Sequence, residues 1–178
     1  MTFEQVLSNA EDARLSGNYE LAKKEYMNII SNDDKRSITY GHALRGTAEV
    51  FRMLEDYSES EVYYDKAIES YSENKSNFGL GVAHLGLGQL FRHKNEIEKS
   101  ERFVRKAINY FIEANDKFGL ADAHIELGHL QLSHLNFNQA SKEFVEAKDL
   151  YSDLDDKWGL ASAYLGLGKS QAKEDKVV

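Results

Sequence analysis

Apolar side chains recur along this chain at intervals of three and four residues and nowhere alternate strictly with polar ones. That pattern predicts helices and no strands. The helical stripes also repeat over a longer interval. Tyr57, Ile97 and Phe137 occupy matching places, as do Tyr64, Val104 and Phe144, then Ala67, Ala107 and Ala147, then Tyr71, Phe111 and Tyr151, each set stepping by 40 residues. Three glycine-led segments keep the same step, opening at Gly79, Gly119 and Gly159 and closing on Gly88, Gly128 and Gly168. A fixed period of this length marks one supersecondary unit stacked on its copies. Such an array presents a long surface rather than a single pocket, which points to binding more than to catalysis.

Within each unit the spacing predicts two antiparallel helices: 2–16 with 19–31, 36–53 with 57–73, 77–93 with 97–114, 117–133 with 137–153, and a ninth helix at 157–172. The expected fold class is all-α, an α-solenoid of antiparallel helix pairs forming one domain over residues 1–178. Its units lie near 2–34, 36–74, 77–115 and 117–155, before the terminal helix. Ser76, Asp116 and Asp156 stand one place before a helix, where a side-chain oxygen caps an orphan backbone amide. Asn18, Asp56, Asn95 and Asn136 fall in tight turns, whose geometry Asn and Asp tolerate. Ala10, Ala48, Gly88, Gly128 and Gly168 share one place on the first helix of each unit, and Ala22, Ser60, Ser100 and Ala140 share the facing place on the second. Glycine inside a helix costs about 1 kcal/mol against alanine, so its recurrence predicts close approach of the two helices there.

Composition narrows the picture. The chain has 178 residues, enough for a sizeable core, and 42% of them are apolar, as in a folded protein. A net charge of −8 argues against general nucleic-acid binding, which needs a basic face. Absence of cysteine excludes disulfides and thiolate metal sites, and absence of proline suits long helices joined by short caps. No apolar run approaches a membrane span, and Met1-Thr2-Phe3-Glu4-Gln5 lacks the profile of a signal peptide, so the expected address is the cytoplasm. Asn74-Lys75-Ser76 fits a glycosylation acceptor, but in this context it reads as an inter-helix turn.

The residues resemble the tetratricopeptide repeat. Gly17-Asn18-Tyr19-Glu20-Leu21-Ala22 with Tyr26 is similar to that family's turn and second-helix start, and Leu87-Gly88, Leu127-Gly128 and Leu167-Gly168 resemble its paired Leu-Gly. The 40-residue spacing is similar to the longer variant of kinesin light chains and many bacterial regulators. The chain departs from that pattern where His84, His124 and Tyr164 replace the family's first-helix aromatic. It departs again where Leu85-Gly86, Ile125-Glu126 and Leu165-Gly166 stand in place of paired asparagines.

The resemblance implies a right-handed α-solenoid with a concave side lined by the first helix of each pair, with Leu7, Glu11 and Arg14, then Arg45, Glu49 and Arg52, then Leu85, Gln89 and Arg92, then Ile125, His129 and Leu132. Each set is spaced i, i+4, i+7 and shares a helical face. The candidate groove therefore comprises Arg14, Arg45, Glu49, Arg52, Leu85, Gln89, Arg92, Ile125 and His129. Arg14, Arg52 and Arg92 share one repeat position and predict a ladder suited to carboxylates, while Leu85, Ile125 and Leu165 predict an apolar strip. The plainer alternative pairs the arginines with Glu11, Glu49 and Glu126, at about 0–1 kcal/mol for an exposed pair.

The function implied is noncatalytic: the groove binds a peptide or helix of a partner protein, acidic with apolar anchors. The alternatives are a self-assembling scaffold, including a homodimer through the terminal helix, and a regulator sensing a small ligand or signalling peptide. Neither a cofactor nor a metal is expected. His84 and His124 read as packed core groups, and His129 and His134 are poorly spaced for shared ligation. Ala163 with Gly168-Lys169-Ser170 satisfies a permissive phosphate-loop pattern but lies inside a predicted helix. Phe78, Phe118 and Trp158 are expected to pack over the preceding helix, and Asp33-Asp34 and Asp155-Asp156 to serve as solvated caps. The polar stretch from Lys169 to Lys176 reads as a solvating end cap.

Overall fold

A computed structural model describes residues 2–34 and 37–174. Among these the chain forms α1 (Phe3–Leu15), α2 (Tyr19–Asn32), α3 (Ile38–Met53), α4 (Tyr57–Glu73), α5 (Asn77–His93), α6 (Ile97–Ala114), α7 (Lys117–Ser133), α8 (Phe137–Asp153) and α9 (Lys157–Glu174), with no strand. The bounds agree with the periodicity to within two residues. The expected start of α3 at position 36, the expected cap residues at 175 and 176, and the other undescribed termini lie outside the described residues. From Lys169 to Glu174 the expected cap is helix.

The joints share one hydrogen-bond scheme, and it accounts for the absence of proline. At every joint except α2–α3, the amide of the residue before the next helix, two places beyond the C-cap (one at α6–α7, where the left-handed Asn115 is itself the C-cap), donates to a carbonyl five residues back. Examples are Asp56 N to Phe51 O at 2.9 Å, Glu96 N to Phe91 O at 2.8 Å and Asp156 N to Tyr151 O at 3.0 Å. The intervening residue takes left-handed backbone: Gly17, Glu55, Lys75, Asn95, Asn115, Leu135 and Asp155 have φ between 53° and 80°. The donor then begins the next helix. Ser76 and Asp116 accept from Gly79 N and Gly119 N at 3.1 and 3.2 Å, and Asp156 accepts from Trp158 N at 3.1 Å. One residue thus closes one helix and caps the next.

Packing sets the curvature. Consecutive helices touch, and so do α1 and α3, α3 and α5, α5 and α7, and α7 and α9. Among the described residues no two even-numbered helices touch. The odd helices therefore crowd the inner side of the array and the even helices spread along the outer side. Close approach falls where the small residues predict it. Ser60 Oγ donates to Ala48 O at 2.8 Å, and Ser100 Oγ donates to Gly88 O at 2.6 Å. A Cβ at Gly88 would lie 2.5 Å from Val104 Cγ2, whereas Gly168 has nothing within 4 Å.

Phe78, Phe118 and Trp158 depart from expectation. They are 48%, 50% and 88% exposed, and Phe118 meets Tyr151 of α8 edge-on rather than a ring of the preceding helix. Each lies in the first turn of its helix beside a glycine, and the glycine takes the inward place against the ring of the preceding helix.

Two outcomes follow for stability. Gly88→Ala should cost about 1–2 kcal/mol through overpacking, while Gly168→Ala should gain up to about 1 kcal/mol from helix propensity alone. Urea denaturation of both variants checks the contrast. Leu135 is 65% exposed with φ 60°, so Leu135→Gly should relieve left-handed strain and raise stability by about 0.5–1 kcal/mol in the same measurement.

Candidate functional site

The concave face divides into two parts with opposite character. Toward the N-terminus, α1 and α3 bring Glu11, Arg14, Arg45 and Glu49 into a closed ring of ion pairs. Arg14 reaches Glu11 at 2.6 Å and Glu49 at 2.7 Å, and Arg45 reaches Glu11 at 2.9 Å and also pairs with Glu49. Burial opposes the charge on Glu11, but Arg45 and Arg14 outweigh it and hold its carboxyl below the ordinary range. Two cations and two anions cancel, with the side chains only 14–25% exposed. Arg14, Arg45 and Glu49, placed in the candidate groove, thus meet one another, and Arg14 takes Glu11 and Glu49 as the plainer alternative had it. The expected ladder also breaks at Arg52, which lies beside the buried Tyr64 hydroxyl and has no carboxylate partner among the described residues.

Toward the C-terminus the inner face opens. A hollow of about 710 Å³ lies between α5, α7 and α9, lined by Arg92, Asn95, Ile97, His129, Leu132, Ser133 and Lys169. Here the structure brings together Arg92 and His129 of the expected groove. Gln89 and Ile125 are half-buried on the same two helices, and Leu85 is buried, 8% exposed. The apolar strip is therefore not continuous, since Leu85 packs into the core while Leu165 stands 60% exposed.

A local exchange builds the wall of the hollow. Elsewhere a glycine on the odd helix faces a ring: Gly46 meets Tyr26, Gly86 meets Tyr64 and Gly166 meets Phe144. On α7 the matching residue is Glu126, and the ring's place is taken by Val104. The smaller side chain leaves room for Glu126, which is 4% exposed and accepts from Arg92 Nε. His129 sits against the Phe144 ring, edge-on at 5.3 Å. Burial first, then the charges of Arg92 and Lys169, holds its pKa below the ordinary imidazole value, so the ring is neutral near pH 7.

Sequence reasoning did not place Lys169, Asn95 and Ser133 in this site. Lys169 carried a signal, because it stands one period beyond His129 and two beyond Gln89. It is exposed and has no carboxylate partner among the described residues.

The other candidates resolve into structure. The Gly168-Lys169-Ser170 pattern lies within α9, where Ser170 Oγ donates to Gly166 O at 3.0 Å and the backbone amides serve the helix rather than a phosphate. His124 and Glu143 meet at 2.8 Å. His84 stacks on Tyr110, ring centroids 5.3 Å apart, and packs against Phe103. Among the described residues no group of three His, Asp or Glu could hold a metal ion, and no helix is long and apolar enough to cross a membrane.

No family model matches the sequence, and no curated protein matches it. Solved structures do. BtubC (BKLC) from P. vanneervenii superposes with TM-score 0.64 at 14% identity, over 98% of this chain and 80% of that one. Two structures of a kinesin light chain-like protein of Podosopora anserina, built of nearly identical TPR-like repeats, give TM-scores of 0.68 and 0.67 at 8% identity. They cover 97% of this chain and 89% and 90% of theirs. Identities this low speak for fold alone. The chain is an all-α solenoid of tetratricopeptide-like repeats.

His84 supplies a pH test. Burial, then Lys106, lowers its pKa to about 4, against 6.5 for a free imidazole. The unfolded chain therefore binds the extra proton between those values, and stability falls as pH drops through that window. Between pH 7.5 and 5 His84 should account for a loss of about 1–2 kcal/mol. His84→Phe keeps the ring stack and should remove that part of the slope in urea titrations at the two pH values. An unchanged slope would show that the imidazole titrates freely.

Proposed function

We propose that this protein is a noncatalytic interaction module whose concave face takes a peptide or helical segment of a partner protein, with the hollow between α5, α7 and α9 seating an acidic side chain. One observation carries the reading. In a chain of net charge −8, Arg92, Lys169 and a neutral His129 converge on a hollow of about 710 Å³. That volume falls within the range of about 300–1,000 Å³ typical of ligand sites. Arg92 is already oriented by Glu126, so Lys169 is the cation with charge to spare. Ile97 and Leu132 supply apolar wall for an anchor beside the acid. Ser133 and Asn95 offer polar groups at the rim.

The reading assigns the two ends of the concave face different parts. The Glu11–Arg14–Arg45–Glu49 ring presents no net charge and would serve as a shaped wall. Arg52, Gln89 and Ile125 would line the path between that wall and the hollow. A carboxylate brought to this open hollow would face Lys169 and Arg92 together, each exposed contact adding on the order of 0–1 kcal/mol.

Selection from a random peptide library against the purified chain tests the proposal. Recovered peptides should carry Asp or Glu next to Leu or Phe, and their binding should weaken as salt rises. Lys169→Glu should leave the fold untouched, since the side chain is exposed and makes no ion pair among the described residues, and should cost about tenfold in affinity. Peptides without acidic residues, or unchanged affinity in the variant, would remove the hollow from the binding surface.

A further inference from the structure

The 40-residue period leaves a gap where a small residue takes the place of a ring. Ser70 of α4 stands 40 residues before Tyr110 of α6, and Leu44 of α3 stands 40 before His84 of α5. In the later unit the Tyr110 ring stacks on His84, with centroids 5.3 Å apart and 28° between planes. In the earlier unit that ring is absent, and a hollow of about 320 Å³ opens between α3 and α4. Tyr40 and Leu44 wall it from α3, and Lys66, Glu69, Ser70 and Glu73 wall it from α4. The matching hollow beside Tyr110 is about 240 Å³ and is lined by α6 alone, through Lys106, Asn109, Tyr110 and Glu113. One aromatic ring thus separates a cleft shared by two helices from one that reaches a single helix.

The cleft has chemistry of its own. Ser70 is 4% exposed, and its hydroxyl is buried with no hydrogen-bond partner among the described residues. A buried hydroxyl left unpaired is costly, and few persist in folded proteins. Leu44, 1% exposed, gives an apolar floor, and the half-buried Tyr40 packs against the same core. Glu69 and Glu73 stand one helical turn apart on α4, exposed and without an ion pair among the described residues. The Lys66 ammonium lies 4.7 Å from the Tyr63 ring centroid instead of against either carboxylate. Two anions and one cation line the cleft, so it favours a cation.

We propose that this cleft is a binding site for a small molecule that combines one planar ring with a cationic amine. The ring takes the space that Tyr110 occupies in the next unit and lies against Leu44 and Tyr40. A polar atom on the ring pairs with the Ser70 hydroxyl, and the ammonium meets Glu69 and Glu73 at the mouth. The volume falls at the small end of the range of about 300–1,000 Å³ typical of ligand sites. The cleft shares no residue with the hollow between α5, α7 and α9, so it stands whether or not that hollow binds a peptide.

Tyramine carries both features, and phloretate carries the same phenol ring on a carboxylate tail. Titrated into the isotope-labelled 178-residue chain and followed by amide chemical shifts, tyramine should bind saturably around Tyr40, Leu44, Ser70 and Glu73, with a Kd of about 0.1–1 mM. Phloretate should bind at least about tenfold more weakly. Ser70→Tyr restores the ring found in the next unit, so it should raise the thermal midpoint and weaken tyramine about tenfold or more. Ser70→Ala keeps the cleft and removes only the hydroxyl, so it should fold as the parent does and weaken tyramine about threefold. Glu69→Gln combined with Glu73→Gln should bring the two ligands to within about twofold of each other. Absence of saturable shifts, shifts centred elsewhere, or equal affinity for the two ligands in the parent would overturn the proposal. So would parental tyramine affinity in both Ser70→Ala and the double Gln variant, which change little volume and decide the matter even if Ser70→Tyr fails to fold.

Discussion

The structure depends on aromatic rings pressed against helix backbone that has been stripped of side chains. Tyr71 lies between Gly41 of its own unit and Gly79 of the next, with Cβ positions 2.9 and 2.3 Å from the ring. Phe111 repeats the arrangement between Gly81 and Gly119, at 2.7 and 2.4 Å. Each ring thereby touches the odd helix on both sides of it and couples adjacent units. An interior glycine costs about 1 kcal/mol in helix propensity, and a fully buried large apolar side chain contributes about 1.5–3 kcal/mol. Because one ring engages two glycines, the balance is close, and the geometry tolerates little drift. That is the physical reason the 40-residue step holds from Tyr57 to Phe137 and from Gly79 to Gly159.

Coupled substitutions show how far the rule bends. Where the sandwiched ring carries a hydroxyl, the neighbouring odd helix supplies a polar partner: Tyr71 OH lies 2.8 Å from His42 Nδ1, and Tyr151 OH donates to Asp122. Where the ring is Phe111, the same place holds Val82, packed in the apolar cluster. The buried hydroxyl would be costly without its partner, so the two positions change together. Val104 and Glu126 form a further coupled pair: a missing ring on one helix admits a buried carboxylate on the next.

Helix bounds and joints were legible because they rest on local signals. Ser76, Asp116 and Asp156 cap within three residues of themselves, and the stripe spacing needs no knowledge of neighbours. Gly88 was legible too, since its repeat partner Ser100 faces it in every register. The site was less legible because its contacts join residues on alternate helices. Arg14 with Glu49, Arg45 with Glu11, and Arg92 with Glu126 lie on odd helices separated by a whole even helix. The pairing of arginines with Glu11, Glu49 and Glu126 was legible as the plainer alternative, but a repeat position does not choose between a carboxylate of the next unit and one of a ligand. Lys169 followed from the period, yet reading it as part of a phosphate-loop pattern obscured its place beyond His129. The exposed Phe78, Phe118 and Trp158 show the converse limit, because periodicity marks equivalence and does not say which way equivalent residues face.

The closed and open ends of the concave face follow from the same accounting of partners. At α1 and α3 four charges meet in one ring, and each finds two opposite neighbours. At α7 and α9 the series from Glu11 and Glu49 has passed through Gln89 to His129 and Lys169, so the row changes from anionic to cationic along the array. The arginine row ends at Leu132 over the same distance. Positive charge therefore moves from one row to the other near α9, where Lys169 has no carboxylate partner among the described residues. Lys169 follows Gly168 directly, so the cation of the hollow and a helix position with nothing within 4 Å of its Cβ place belong to one turn of α9.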